Sequence, residues 1–146
     1  MDAAFRIWAS LVSLAVIVQV GLAGYGAFHA VNVSDDKGAI GKKSVEDGFG
    51  VHSGLGYVIL LAALVLAILA YVAGRRSGDS SRVKWSGIIF GLLVLQVAFA
   101  WIGMGSSGLG ALHAINALAI AGFAGSLAGR EWAQHRGATA APAASH

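Results

Sequence analysis

Two histidines stand inside apolar stretches of the chain, His52 in "GFGVHSGLGYVILL" and His113 in "GALHAINALAIAGF". An imidazole donates and accepts hydrogen bonds, ligates metals and titrates near neutrality. Among aliphatic side chains such a group is costly unless it finds a partner. Gln19 and Gln96 stand in two further apolar stretches, and the four segments fall into two pairs. "VQVGLAGYG" (18–26) aligns with "LQVAFAWIG" (95–103), matching Gln19 with Gln96, Ala23 with Ala100 and Gly26 with Gly103. "VHSGLGYVI" (51–59) aligns with "LHAINALAI" (112–120), matching His52 with His113. The chain reads as two tandem units, each a glutamine-bearing helix followed by a histidine-bearing one.

The elements that must position these residues follow from composition. Only 12 % of the 146 residues are charged, about half the share of a soluble domain, which is near 25 %. The charges cluster between apolar stretches of membrane-crossing length, predicting spans at about 5–30, 47–74, 84–104 and 107–129. Backbone facing lipid must satisfy its own hydrogen bonds, so each span is expected to be helical. The fold class is an all-α integral membrane four-helix bundle, one domain over 1–130 with a tail over 131–146. The polar segment "NVSDDKGAIGKKSVEDG" reads as the loop between spans one and two, "GRRSGDSSRVKW" as a basic turn, and "GMGSSG" as a tight hairpin. The tail loses its apolar character after Arg130, and its Ala/Pro/Ser end is expected to be disordered. The first apolar stretch is too long for a signal-peptide core and ends in no A-x-A site, so it reads as a retained span.

Charge sets the orientation. Arg75, Arg76, Arg82 and Lys84 lie between spans two and three, while Arg6, Arg130 and Arg136 flank the ends. Lys37, Lys42 and Lys43 of the first loop are offset by Asp35, Asp36, Glu46 and Asp47. The positive-inside bias predicts both termini in the cytoplasm of a multi-pass plasma (inner) membrane protein, with Trp8, Trp85 and Trp132 as interfacial anchors. The basic residues mark span ends rather than a nucleic-acid surface. Without cysteine there is no disulfide, thiolate haem ligand or Cys-based metal site.

In this topology His52 and His113 lie roughly 10 Å into their helices, behind caps expected at Ser44 and at Ser106 or Ser107. They share a depth, on diagonally related helices whose side chains converge on the bundle core. Two such imidazoles offer axial ligands to a haem iron. They also suit interhelical hydrogen bonds, and they leave zinc or copper under-coordinated. Gly24, Gly54 and Gly56 would thin the helix walls around a planar macrocycle, with Gly21, Gly26 and Gly50 beside them. Gln19 and Gln96 either fix helix register or support a cofactor or a quinone-like head group. His29 has no repeat partner and stands as the weaker alternative ligand. Asn116, one turn from His113, is suited to bonding a neighbouring helix. Lys37, Lys42 or Lys43 could face haem propionates at a wet interface.

The stretch "LQVAFAWIGMGSSGLGALHAINALAI" together with "VHSGLGYVI" resembles one four-helix half of the haem A synthase family. The likeness covers most of the four-span core. It implies haem-ligand roles for His113 and His52. The chain also resembles small four-span bacterial membrane proteins of the same pattern, which imply no function. It departs from the synthases in having one bundle, no outer-loop cysteines, and Ser53 where an Arg stands beside the second-helix histidine. A Glu before that histidine is absent as well, the nearby acids being Glu46 and Asp47. Hydroxylation of a haem methyl is therefore not expected.

The sequence thus leads to a bis-histidine b-type haem protein with one haem b per chain, serving electron transfer or haem handling rather than catalysis. The partners expected are the bilayer, haem, a quinone or redox protein, and further copies or a larger complex. A cofactor-free subunit or scaffold is the alternative. Proton-coupled transport is disfavoured, because Asp2, Asp79 and Glu131 all lie at span ends.

Overall fold

A computed structural model describes residues 2–38, 40–78 and 80–140, with backbone alone at 35–37, 77, 107, 109 and 140. It contains four helices: α1 Asp2–Lys37, α2 Lys42–Ser77, α3 Ser80–Gly103 and α4 Ser107–Ala140. All four are long and apolar enough to cross a membrane. They form a ring in chain order, α1 against α2, α2 against α3, α3 against α4 and α4 back against α1. The diagonal pairs are α1 with α3 and α2 with α4. One end of the bundle, here the basal end, carries the start of α1, the end of α4 and the α2–α3 connection. The hairpin end carries the other two turns.

Helix outruns the expected spans. The first polar loop shrinks to residues 38–41, and α4 continues through Arg130 to Ala140. Extending a formed helix adds a hydrogen bond per residue without a second nucleation cost. Ion pairs one turn apart, Lys42 with Glu46 at 3.6 Å and Lys43 with Asp47 at 3.5 Å, support the new first turn of α2. The 141–146 end of the tail lies outside the described residues. The expected cap at Ser44 is also displaced. Gly41 holds the N-cap position, and Ser44 already donates its N–H to the Gly41 oxygen at 3.1 Å. At α4, the Ser106 oxygen accepts from Gly110 N–H at 2.9 Å, so the chain does enter this helix at Ser106.

The buried stripe recurs at three- and four-residue spacing. It comprises Phe5, Ala9, Val12 and Val16 of α1, Ile59, Ala63, Leu66 and Ala70 of α2, Ile89 and Leu93 of α3, and Ile120, Ala124 and Leu127 of α4. Small residues in this stripe let the helices approach closely. The opposite faces are equally apolar, with Ile17 60 % and Leu118 68 % exposed. Helices apolar all round require an apolar surrounding, which is lipid.

The basal end is locked by charge. Arg82 on α3 donates Nε to Glu131 Oε1 at 3.0 Å and Nη2 to Glu131 Oε2 at 2.7 Å. Its Nη1 reaches Asp2 Oδ1 at 2.5 Å, so one guanidinium ties α1, α3 and α4 together. Glu131 is 5 % exposed, a burial tolerable because the fork of Arg82 meets both carboxylate oxygens. Around this clamp Trp132 donates to Ser10 Oγ at 2.9 Å, and Arg6 stacks 4.7 Å above the Trp132 ring.

Candidate functional site

The core ends at Val16, Ile59, Leu93 and Asn116, and just beyond it toward the hairpin end lie the two glutamines and two histidines. The helices bring His52 and His113 together from diagonal positions, their ring centres 6.3 Å apart and their planes at 62°. Each ring is bonded to a neighbouring helix in the same manner. His52 Nδ1 lies 3.1 Å from the main-chain oxygen of Gln19, and His113 Nδ1 lies 3.0 Å from that of Gln96. A carbonyl oxygen only accepts, so each Nδ1 must carry the hydrogen and donate it. In the neutral ring the lone pair is then left on Nε2. Among the described residues, no hydrogen-bond donor meets either Nε2.

The glutamine side chains complete this frame, and here the two halves differ. Gln19 Nε2 donates to the His52 main-chain oxygen at 2.7 Å, so α1 and α2 exchange two bonds at one level. Its Oε1 is buried and unpartnered. Gln96 Oε1 instead accepts from Asn116 Nδ2 at 2.6 Å, and the same amide donates to the Leu92 oxygen at 2.9 Å. Under the alignment that matches His52 with His113, Leu55 stands where Asn116 stands, and leucine has no hydrogen to offer Gln19.

A tight α1–α2 crossing sets the height of His52. A Cβ on Gly48 would fall 2.9 Å from the Gly26 oxygen, and one on Gly26 would fall 2.8 Å from the Phe49 ring. The two backbones therefore touch one turn before His52, and glycine is required on both sides. Phe49 sits against Gly26 and meets the His52 ring edge to face at 6.0 Å.

The glycines expected to line a macrocycle are placed differently. Gly54 is exposed with nothing within 4 Å of an added Cβ; two residues from His52 is about 200° around a helix, on the opposite face. Gly24 is likewise exposed and open. Gly56 faces inward, but the room it leaves is taken by the Gln19 amide, 3.1 Å from where its Cβ would stand. His29 is apart from the pair as well. It stacks on Tyr25 at 5.9 Å, and its Cδ2 lies 3.1 Å from a Gly48 Cβ. Lys42 and Lys43 are occupied by exposed pairs with their own helix, and the Lys37 side chain lies outside the described residues.

Among the described residues no group of three or more His, Cys, Asp or Glu is placed to hold a metal ion. The site offers two imidazoles, each held through Nδ1 by a main-chain acceptor. Sequence reasoning missed Phe49 and gave Asn116 too little weight. Asn116 is 7 % exposed, and its spacing of three from His113 was the signal. Comparison with family models, with curated proteins and with solved structures finds no match to this chain.

Proposed function

We propose that this chain is a membrane-embedded b-type haem protein in which His52 and His113 hold one haem iron between them, for electron transfer or haem handling. The observation that carries the reading is the repeated bond from imidazole Nδ1 to a glutamine main-chain oxygen. That bond fixes the tautomer and leaves Nε2, the nitrogen a metal takes, with its lone pair free. The two ring centres stand 6.3 Å apart, so His52 and His113 would be the residues that hold the group.

Two imidazoles would suffice to hold a haem, whereas they leave a bare ion short of ligands. When bound, such a group supplies one-electron chemistry whose potential depends on its axial ligands and their hydrogen bonds. The chain's own contribution is to hold the rings, with Gln19, Gln96 and Asn116 supporting them. In the orientation we infer from the charges, both termini and the α2–α3 turn are cytoplasmic and the histidines lie toward the outer leaflet. The two glutamine–histidine units then relate as tandem repeats.

A second reading has one observation in its favour: both histidines already have protein partners, so they could serve only as bonds between helices. The visible spectrum of the purified protein after haem addition separates the readings. A haem protein gives a Soret band that the His52→Ala/His113→Ala variant lacks. A cofactor-free subunit gives none and loses only stability in the variant.

A further inference from the structure

The basal end holds a second site, independent of the histidine pair. Where α2 turns into α3, Gly74, Gly78 and Val83 shape a cleft of about 400 Å³, with Arg75 and Tyr71 on one side and Lys84 on the other. Two of its walls are glycines. Gly78 adopts φ 72°, a left-handed conformation that glycine takes without strain, and returns its N–H to the Gly74 oxygen at 2.8 Å. Gly78 itself puts no side chain at the turn.

The cations that flank the cleft are placed against aromatic rings rather than acids. Arg75 Nη1 donates to the Tyr71 hydroxyl at 3.1 Å, with its guanidinium carbon 5.7 Å above the same ring. Lys84 Nζ lies 5.6 Å above the Trp85 ring. Among the described residues neither meets a carboxylate; Asp79, the acid of the turn, lies outside them. Arg82, in the same turn, is by contrast engaged by Glu131 and Asp2. Accepting from Arg75 leaves the Tyr71 hydroxyl its own hydrogen to donate.

We propose that this cleft binds the phosphate of an anionic phospholipid. Two cations and a phenolic hydroxyl suit phosphate oxygens, and Val83 and the exposed Gly78 suit the apolar body attached to them. The position suits a lipid and not a free ion, because the helices just above the cleft are apolar on their outward faces, as at Ile68, 53 % exposed. A headgroup held there keeps its acyl chains along α2 and α3. Basic pockets between helices at a membrane face recognise anionic headgroups in this way.

The test uses the full-length protein in detergent and follows its melting midpoint as phosphatidylglycerol, phosphatidylcholine or inorganic phosphate is titrated. Phosphatidylglycerol should stabilise at much lower concentration than phosphatidylcholine, and inorganic phosphate should have little effect. The Arg75→Gln/Lys84→Gln variant should weaken phosphatidylglycerol binding by about 25-fold, since each surface cation contributes roughly fivefold. Both side chains are exposed, and circular dichroism checks that the variant folds; Arg75→Lys should keep most of the affinity. Removing two other basal charges, in Arg130→Gln/Arg136→Gln, should leave the affinity nearly intact. Undiminished binding by the cleft variant overturns the proposal, as does equal loss in both double variants. Equal stabilisation by inorganic phosphate overturns it too. The readout is independent of haem, so this proposal and the haem reading fail separately.

Discussion

The His52 and His113 rings stand 6.3 Å apart across the bundle, although α2 and α4 are diagonal helices without backbone contact. Only side chains span that gap. The pair is therefore held by what each ring does at its other nitrogen, which is to donate to the glutamine carbonyl of an adjacent helix. The arrangement is doubly braced, on α1 for His52 and on α3 for His113.

The α1–α2 crossing gives the first prediction. Gly48→Ala places a methyl against the Gly26 main-chain oxygen, which cannot move without the whole helix. It should cost about 1–3 kcal/mol, the usual penalty of overpacking. Because His52 lies one turn on, haem affinity should fall with stability. Gly50→Ala is the matched control, exposed with nothing within 4 Å, and should gain up to about 1 kcal/mol from helix propensity. Thermal unfolding in detergent reads both, and equal effects would show that the crossing is not tight.

The basal clamp gives the second. Arg82→Met leaves Glu131, 5 % exposed, as a buried carboxylate without its partner. Losses of this kind run to about 3–5 kcal/mol. Asp2→Asn removes a carboxylate whose side chain is 75 % exposed and should cost under about 1 kcal/mol. Replacing both buried partners, as in Arg82→Met/Glu131→Leu, should recover most of the first loss, because apolar side chains are tolerated where a lone charge is not. A double variant as unstable as Arg82→Met would show that the loss does not come from an unpaired Glu131.

Asn116 gives the third. Asn116→Leu takes the donor from Gln96 Oε1 and gives the second half the leucine that the first half already has at Leu55. Its cost should be about 0.6–1.7 kcal/mol, the range for hydrogen bonds between membrane helices. His113 keeps its bond to the Gln96 main chain, so a haem-loaded variant should melt earlier with an unchanged visible spectrum. A changed spectrum would mean that Asn116 acts on the ligand as well as on the helix.

The four helices were legible because a helix in lipid must be apolar over a definite length, and charge clusters mark its ends. Their true ends were not. Residues 31–37 and 42–46 are mostly polar, yet they continue the helices of the apolar stretches beside them. The histidine pair was legible from the alignment of "VHSGLGYVI" with "LHAINALAI", which put both residues at one depth. The facing of the glycines was not legible. Spacing along the chain does not say which side of a helix faces the partner, and Gly54 falls on the far side. The bond from Arg82 to Glu131 spans 49 residues, and no local pattern links two such distant charges.

In the function we propose, His52 and His113 together ligate one haem iron. Titration of the purified protein with haem, followed by absorption and low-temperature electron paramagnetic resonance, tests it most directly. The predicted result is saturation at one haem per chain with a low-spin bis-imidazole signature. His52→Ala and His113→Ala should each lose it, and added imidazole should restore it. No saturable uptake, or the same low-spin signature in the His52→Ala/His113→Ala variant without imidazole, would contradict the claim.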